Sequence, residues 1–352
     1  MRIAQVAPLF EAVPPKLYGG TERVVAHLTD ALVDQGHEVT LFAAGETQTK
    51  ARLVATRAQP LRLDSGRLNS DLASHLAMIH EVRRRADAFD VIHFHVDLIH
   101  FPFFEGMPER TLTTLHGRLD IDDLRDVYAR WPSCPLVSIS RSQRAPLPEA
   151  NWYATVQHGM LPDQYRFSPR AQDGYLAFLG RISPEKRPDR AIEIAKAAGV
   201  PLKIAAKVDA ADRVYFDTCI RPMLDHPLIE FVGEIGNAQK SAFLGGARAL
   251  LFPIDWPEPF GLVMIEAMAC GTPVIAWRCG SVPEVVQHGI SGLIVDDIAG
   301  AVKAVHGITG LSRARVRRAF DERFTAQAMA KRYARLYWQL VHARRLRESE
   351  VA

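Results

Sequence analysis

Pro253-Ile254-Asp255-Trp256-Pro257-Glu258-Pro259-Phe260-Gly261-Leu262-Val263-Met264-Ile265-Glu266-Ala267-Met268-Ala269-Cys270-Gly271-Thr272-Pro273-Val274 is the stretch on which the reading of this chain turns. It leaves a short apolar run, residues 249–252, and crosses a loop stiffened by proline. A helix then opens near Phe260 or Gly261. Gly271-Thr272-Pro273 ends that helix and starts the next strand, because glycine tolerates the backbone of a helix terminus and proline cannot continue a helix. Strand, helix and strand in this order make a βαβ unit, and therefore a parallel sheet. A helix start carries unpaired N–H groups and a partial positive charge. The N–H groups of Gly261, Leu262 and Val263, with Phe260 just ahead of them, are suited to a phosphate.

Two acidic residues flank this cradle. Glu258 lies just before the helix and Glu266 roughly a turn inside it. Carboxylates repel phosphate, so they are not there to bind it. They accept hydrogen bonds from hydroxyls on either side of it. A nucleotide sugar presents ribose hydroxyls on one side of its phosphates and sugar hydroxyls on the other. Glu258 alone would read as an ordinary helix-capping acid. The whole Glu-x7-Glu segment, with Pro-Phe-Gly inside it, reads as a ligand site. Upstream, Phe178-Leu179-Gly180-Arg181-Ile182-Ser183-Pro184-Glu185-Lys186-Arg187-Pro188-Asp189 is a second strand running into a loop and a helix start. Arg181 and Lys186 leave that strand end together. Two cations there suit a diphosphate and the charge that develops on a leaving group.

Outward from these clusters, short apolar runs alternate with helical patterns. Strands are predicted at residues 2–7, 38–43, 91–94, 111–115 and 136–139, then at 175–179, 202–206, 229–232, 249–252, 273–276 and 293–295. Val24, Val25, Leu28 and Leu32 share one helical face, with Thr21 as the expected N-cap, and Ala191, Ile194, Ala195 and Ala198 share another. Near-continuous apolar strands fit sheets covered on both faces. The polar segment 167–174, with a proline and a glycine, separates two βα series and is read as a linker. The expected domains are residues 1–168, joined by a C-terminal helix from about 330 to 352, and residues 169–329. That last helix is predicted over 326–345 with the apolar stripe Tyr333, Leu336, Tyr337, Leu340 and Val341. Ten arginines between 313 and 347 crowd this region. They read as a solvated face, or alternatively as a contact for an anionic membrane surface or a lipid-linked acceptor.

In the first half, Gly19-Gly20 before a helix start permits close backbone approach to a ligand. No GxGxxG occurs there, which argues against a nicotinamide enzyme. His116, in Leu115-His116-Gly117-Arg118, stands at the carboxyl end of a strand, where ligands bind in open α/β sheets. His93, His95 and Asp97 form another polar set at a strand end, and Asp120-Ile121-Asp122 has the spacing of a metal-binding DxD. Neither is expected to hold a metal: the two histidines share a face only if the strand continues, and the DxD falls at a loop or helix start. The four cysteines show no CxxC spacing, which removes a zinc or redox motif and fits a reducing cytosol. A formal net charge of +3 on 352 residues does not call for nucleic acid. No run approaches a membrane span, and the first residues, Met1-Arg2-Ile3-Ala4-Gln5-Val6, read as a strand rather than a signal peptide.

Both clusters of the second half resemble the signatures of glycosyltransferase family 4, the group 1 transferases. Gly180-Arg181 through Lys186 matches one signature and Glu258 through Glu266 the other; the likeness extends more loosely to Gly19-Gly20 and the C-terminal helix. The resemblance implies an α/β GT-B fold, with two Rossmann-like domains facing across a cleft and a C-terminal helix crossing back to the first. It implies a nucleotide-diphosphate sugar as co-substrate, UDP by family frequency, and retention of anomeric configuration without a metal or other cofactor. Glu266 is then expected on ribose and Glu258 on the donor sugar. The loop of Gly19 and Gly20 is expected on the donor diphosphate or sugar, His116 on the transferred sugar, and the loop of Ile235 beside the base. The acceptor would be a glycan, a lipid-linked molecule or a small molecule, and the location cytoplasmic, including the inner face of the membrane. A nucleotide-sugar 2-epimerase of the same architecture and a non-catalytic sugar-nucleotide-binding protein are the alternatives.

Overall fold

The computed structural model describes residues 1–16, 19–64, 69–171 and 173–351. Residues 17–18, 65–68, Gln172 of the linker and residue 352 lie outside the described residues. The chain forms two compact units: Met1–Met160 with Ala326–Ala352, and Leu161–Thr325.

The first unit is a seven-stranded sheet: β1 (Arg2–Val6), β2 (Glu38–Ala44), β3 (Arg52–Arg57), β4 (Val91–Phe94), β5 (Thr111–Thr114), β6 (Leu136–Ser138) and β7 (Trp152–Thr155). Every pairing is parallel, in the order β3-β2-β1-β4-β5-β6-β7. The second unit pairs β8 (Leu176–Arg181), β9 (Leu202–Lys207), β10 (Ile229–Gly233), β11 (Ala249–Phe252), β12 (Val274–Trp277) and β13 (Gly292–Val295) in the order β10-β9-β8-β11-β12-β13, again all parallel. Both orders follow the Rossmann pattern 3-2-1-4-5-6, with one strand added in the first unit. The topological switch falls between β1 and β4 in one sheet and between β8 and β11 in the other.

The predicted strands are present, and their composition explains why. β4, β5, β6 and β11 are buried at every residue, as continuous apolar or small-polar runs should be when helices cover both faces. The two strands that the pattern does not disclose, β3 and β7, are the two edges of the first sheet. Their sequences, RLVATR and WYAT, are half exposed and have no fully buried residue. An edge strand pairs on one side only, and charge there deters further pairing.

The first helix is Gly20–Asp34, and its N-cap is Gly19, not Thr21, which lies inside the first turn. A Cβ on Gly19 would come within 2.8 Å of Pro15 Cβ, so the chain enters this helix where only glycine fits. The last helix, Ala326–Val351, starts where the pattern places it and runs on past 345. It packs against the Gly20–Asp34 helix and β4 of the first unit. Tyr333, Tyr337, Leu340 and Val341 of its predicted stripe are buried there, and Arg344 Nη1 donates to the Asp90 carbonyl at 3.1 Å. Burying one such large side chain is worth about 1.5–3 kcal/mol, enough for the stripe to anchor the helix. The segment 161–168 is tied to the second unit. Arg166 N donates to Ser241 Oγ, Ser168 N to the Cys270 carbonyl, and Arg313 Nε to the Ser168 carbonyl. Among the described residues, no helix is long and apolar enough to cross a membrane.

Candidate active site

At the switch point of the second sheet, β8 and β11 end side by side and release the two predicted loops. From β8 the chain makes a single turn, Pro184–Lys186, then takes a left-handed conformation at Arg187 (φ 53°) before the helix Pro188–Ala198. From β11 it runs through the proline loop to Gly261 (φ 77°), the N-cap of the helix Leu262–Ala269. A Cβ on Gly261 would lie 2.8 Å from Met264 Cε and 3.0 Å from Phe252 Cζ, besides adopting a backbone that other residues resist. Glycine therefore brings the first-turn N–H groups of Leu262 and Val263 directly after the loop.

The two loops are laced together. Asp255 N donates to the Glu185 carbonyl at 2.9 Å. Arg187 Nη1 and Arg190 Nη2 both donate to Asp255 Oδ2, at 2.9 and 3.1 Å. Arg187 also grips Asp189, which accepts from the Tyr215 hydroxyl as well. Hydrogen bonding to Asp189, followed by the charges of Asp189 and Asp255, holds the Arg187 guanidinium above its ordinary value against its partial burial. The lacing brings Lys186 onto Glu258 as an ion pair. Lys186 Nζ also stands 4.9 Å from the Trp256 ring centroid, and Trp256 Nε1 donates to Glu258 Oε2 at 3.0 Å. Behind the carboxylate, Gly280 (φ 55°) leaves no room for a side chain against the Glu258 backbone. Ser281 N donates to the Glu258 carbonyl, and Ser281 Oγ to that of Phe260.

Arg181 lies among carboxylates, 2.6 Å from Glu185, 3.3 Å from Asp212 and 3.8 Å from Asp209. Burial pushes the Glu185 carboxyl up. Hydrogen bonds from its own backbone and Ser183, then Arg181, outweigh that and leave it below its ordinary value. Glu266 is buried inside its helix. Its Oε1 accepts from Lys240 Nζ at 2.8 Å and from the Tyr165 hydroxyl at 2.9 Å. Lys240 comes from the helix Asn237–Gly246, which follows the half-buried Ile235 after β10. One end of the segment thus holds a carboxylate against a lysine and an indole, and the other holds a carboxylate against a lysine and a phenol. Lys240, Tyr165, Trp256, Gly280 and Ser281 are additions that sequence reasoning misses. A lone lysine on a helix face looks like any solvated lysine; only the fold puts it on Glu266.

In the first unit, Gly19 and Gly20 follow β1, and His116 follows β5, at the carboxyl ends of the strands. His116 Nε2 lies 2.8 Å from His95 Nδ1, and its ring stacks on His158 at 5.2 Å between centroids. Burial pushes His116 down to about 3. His93 and His95 do share a side, with ring centroids 4.1 Å apart. Their nitrogens are committed to hydrogen bonds with Tyr337, Thr114, Gln5 and His116. Asp97 (φ 51°) is exposed beyond the strand. Asp120 is taken by Arg118 Nε at 2.7 Å, and Asp122 opens the helix Asp122–Arg130. Among the described residues, no group of three or more His, Cys, Asp or Glu side chains is arranged to hold a metal ion.

Two Rossmann-like sheets in one chain, with a C-terminal helix packed back on the first unit, make the GT-B fold. Residues 163–317 match the family model described as glycosyl transferases group 1, and residues 18–156 match that described as Glycosyltransferase Family 4. The chain belongs to the group 1, family 4 glycosyltransferases. A glycogen synthase from Mycobacterium tuberculosis is 26% identical over 385 residues, which take in 92% of this chain and 92% of the relative. The crystal structure of AviGT4, a glycosyltransferase involved in avilamycin A biosynthesis, is 25% identical with a TM-score of 0.75, over 97% of this chain and 98% of its own. That of HepE from Anabaena, in complex with UDP and glucose, is 18% identical with a TM-score of 0.73, over 95% and 98%.

Proposed function

We propose that this glycosyltransferase moves a sugar from a UDP-sugar to an acceptor hydroxyl with retention of configuration. The observation that carries the reading is the Lys186–Glu258 pair beside the glycine-capped helix start, with Glu266 held at the other end of the same segment. The diphosphate lies on the N–H groups that follow Gly261, which are preorganised for anionic oxygen. Lys186 and Arg181 stabilise the negative charge that grows on it as the bond to the anomeric carbon breaks. Glu266 accepts ribose hydroxyls and Glu258 accepts hydroxyls of the donor sugar. His116, kept neutral by burial, is a hydrogen-bonding contact to the transferred sugar and not a cation. The loops of Gly19-Gly20 and of Ile235 serve the donor by backbone contact.

In the transfer, the acceptor oxygen bonds to the anomeric carbon, the carbon–oxygen bond to the diphosphate breaks, and the acceptor proton passes to the departing phosphate. Glu258 is engaged by both the Lys186 ammonium and the Trp256 N–H, which suits positioning and electrostatic support better than covalent attack. The UDP and glucose of HepE support the donor class. The acceptor is a hydroxyl of a glycan, a lipid-linked molecule or a small molecule.

Calorimetric titration with UDP, GDP and ADP, then with their common sugar conjugates, tests the proposal. UDP should bind selectively, and Glu266→Ala should weaken it by roughly tenfold or more, the value of one to two hydrogen bonds. Affinity for UDP unchanged in that variant, or no binding by the wild type, would remove the donor site. Product formed with inverted anomeric configuration would overturn retention.

A further inference from the structure

Four histidine rings gather in the first unit beside the ends of β1, β4 and β5: His93, His95, His116 and His158. Burial holds all four neutral at neutral pH, with His116 pushed down to about 3 and the others well below their ordinary value. A neutral imidazole has one N–H and one bare nitrogen, and its partners decide which is which.

Gln5, fully buried on β1, makes that decision. Its Nε2 donates to the Tyr337 hydroxyl at 3.0 Å, so its carbonyl oxygen faces His95 Nε2 at 2.8 Å. A carbonyl only accepts, so the proton of His95 is on Nε2 and its Nδ1 is bare. His116 Nε2, 2.8 Å from that bare nitrogen, must donate to it. The remaining nitrogen, His116 Nδ1, is therefore a bare acceptor. It is buried and has no hydrogen-bond partner among the described residues. The polarity extends the other way too. Tyr337, having accepted from Gln5, donates to His93 Nδ1 at 2.7 Å, and His93 Nε2 donates to Thr114 at 2.7 Å, which joins the Tyr333 hydroxyl at 2.8 Å. A buried acceptor without a donor is costly, so His116 Nδ1 calls for an O–H or N–H from a ligand.

We propose that Gln5 and His95 are positioning residues that hold His116 as its Nε2–H tautomer, so that His116 Nδ1 accepts a hydrogen bond from a hydroxyl of the transferred sugar. This rests on the reading of His116 as a sugar contact. The C-terminal helix takes part through Tyr337, which orients the Gln5 amide.

The test has a spectroscopic arm and a kinetic arm. Long-range 1H–15N correlation of histidine-labelled protein should show His116 protonated on Nε2, the assignment coming from His116→Asn. His95→Leu should release the tautomer and lower kcat/KM for the donor about tenfold, the worth of one hydrogen bond, while UDP affinity stays at the wild-type value. His95→Asn, which returns an amide oxygen near the place of Nδ1, should restore most of the loss. Across a series of monodeoxy UDP-sugars, the wild type should penalise one missing hydroxyl and His95→Leu should erase that penalty. Gln5→Met should loosen the tautomer in the same way, and serves if His95→Leu does not fold. His116 protonated on Nδ1 in the wild type, or a tautomer and deoxy profile untouched by both variants, would overturn the proposal. Failure of the wild type to bind any nucleotide is a different result. It would remove the donor reading and the sugar hydroxyl with it, while the tautomer would still decide the positioning role.

Discussion

Replacing Lys240 with methionine isolates the burial of Glu266. The glutamate side chain is 2% exposed and the lysine 17%, with 2.8 Å between Nζ and Oε1. Breaking a buried ion pair from one side costs about 3–5 kcal/mol, because the other charge is left without compensation. Two features soften this here. The Tyr165 hydroxyl still donates to the same oxygen, and hydrogen bonds to charged groups are worth about 1.5–3 kcal/mol. Lys240 also keeps some contact with water. The expected loss for Lys240→Met is therefore about 2–3 kcal/mol. For a unit of this size that is about 5–10 °C in the transition, read by differential scanning calorimetry. The orphaned charge is the cause, so Lys240→Met combined with Glu266→Gln should be more stable than Lys240→Met alone. Stability of Lys240→Met within about 0.5 kcal/mol of wild type, the range of an ordinary surface substitution, would refute the reasoning. So would a double variant no better than the single one.

Other expectations follow from the same geometry. Gly261→Ala must place a Cβ at positive φ and against Met264 and Phe252, so it should cost at least about 1–2 kcal/mol in urea unfolding and weaken UDP binding; neither effect would mean that the helix start tolerates a side chain. Arg181→Ala should lower kcat more than it weakens UDP binding, by about 1.5–3 kcal/mol of lost charge-assisted bonding, and wild-type turnover would remove Arg181 from the chemistry. The folded-state values of His93, His95, His116 and His158 are depressed, so the unfolded chain takes up protons first as pH falls below about 6.5. These rings should therefore make stability fall as pH drops below about 6.5, with the first unit melting earliest; a flat profile in chemical denaturation would contradict the burial of these rings.

The segment 253–274 is legible in one dimension because its interactions are local. A strand exit, a proline loop, Gly261 at positive φ and two carboxylates within a helical turn or two all fall between 253 and 274, and each follows from backbone preference or spacing. The Arg181–Lys186 loop is readable for the same reason. The buried strands are readable because sheets covered on both faces need unbroken apolar runs. β3 and β7 escape because an edge strand needs neither, and Thr21 is misread as a cap because the clearance at Pro15, not capping chemistry, decides where the helix starts.

Residue types and spacing by themselves determined the βαβ order, the glycine-capped helix start and the carboxylates beside it. Tertiary structure alone decided what holds those groups. Lys240 meets Glu266 across 26 positions, Lys186 meets Glu258 across 72, and Tyr337 meets Gln5 across 332. Nothing in a lysine, tyrosine or glutamine states its partner, because the energy of such a pair comes from burial and approach. Those exist only once parallel strands distant in sequence have been brought edge to edge.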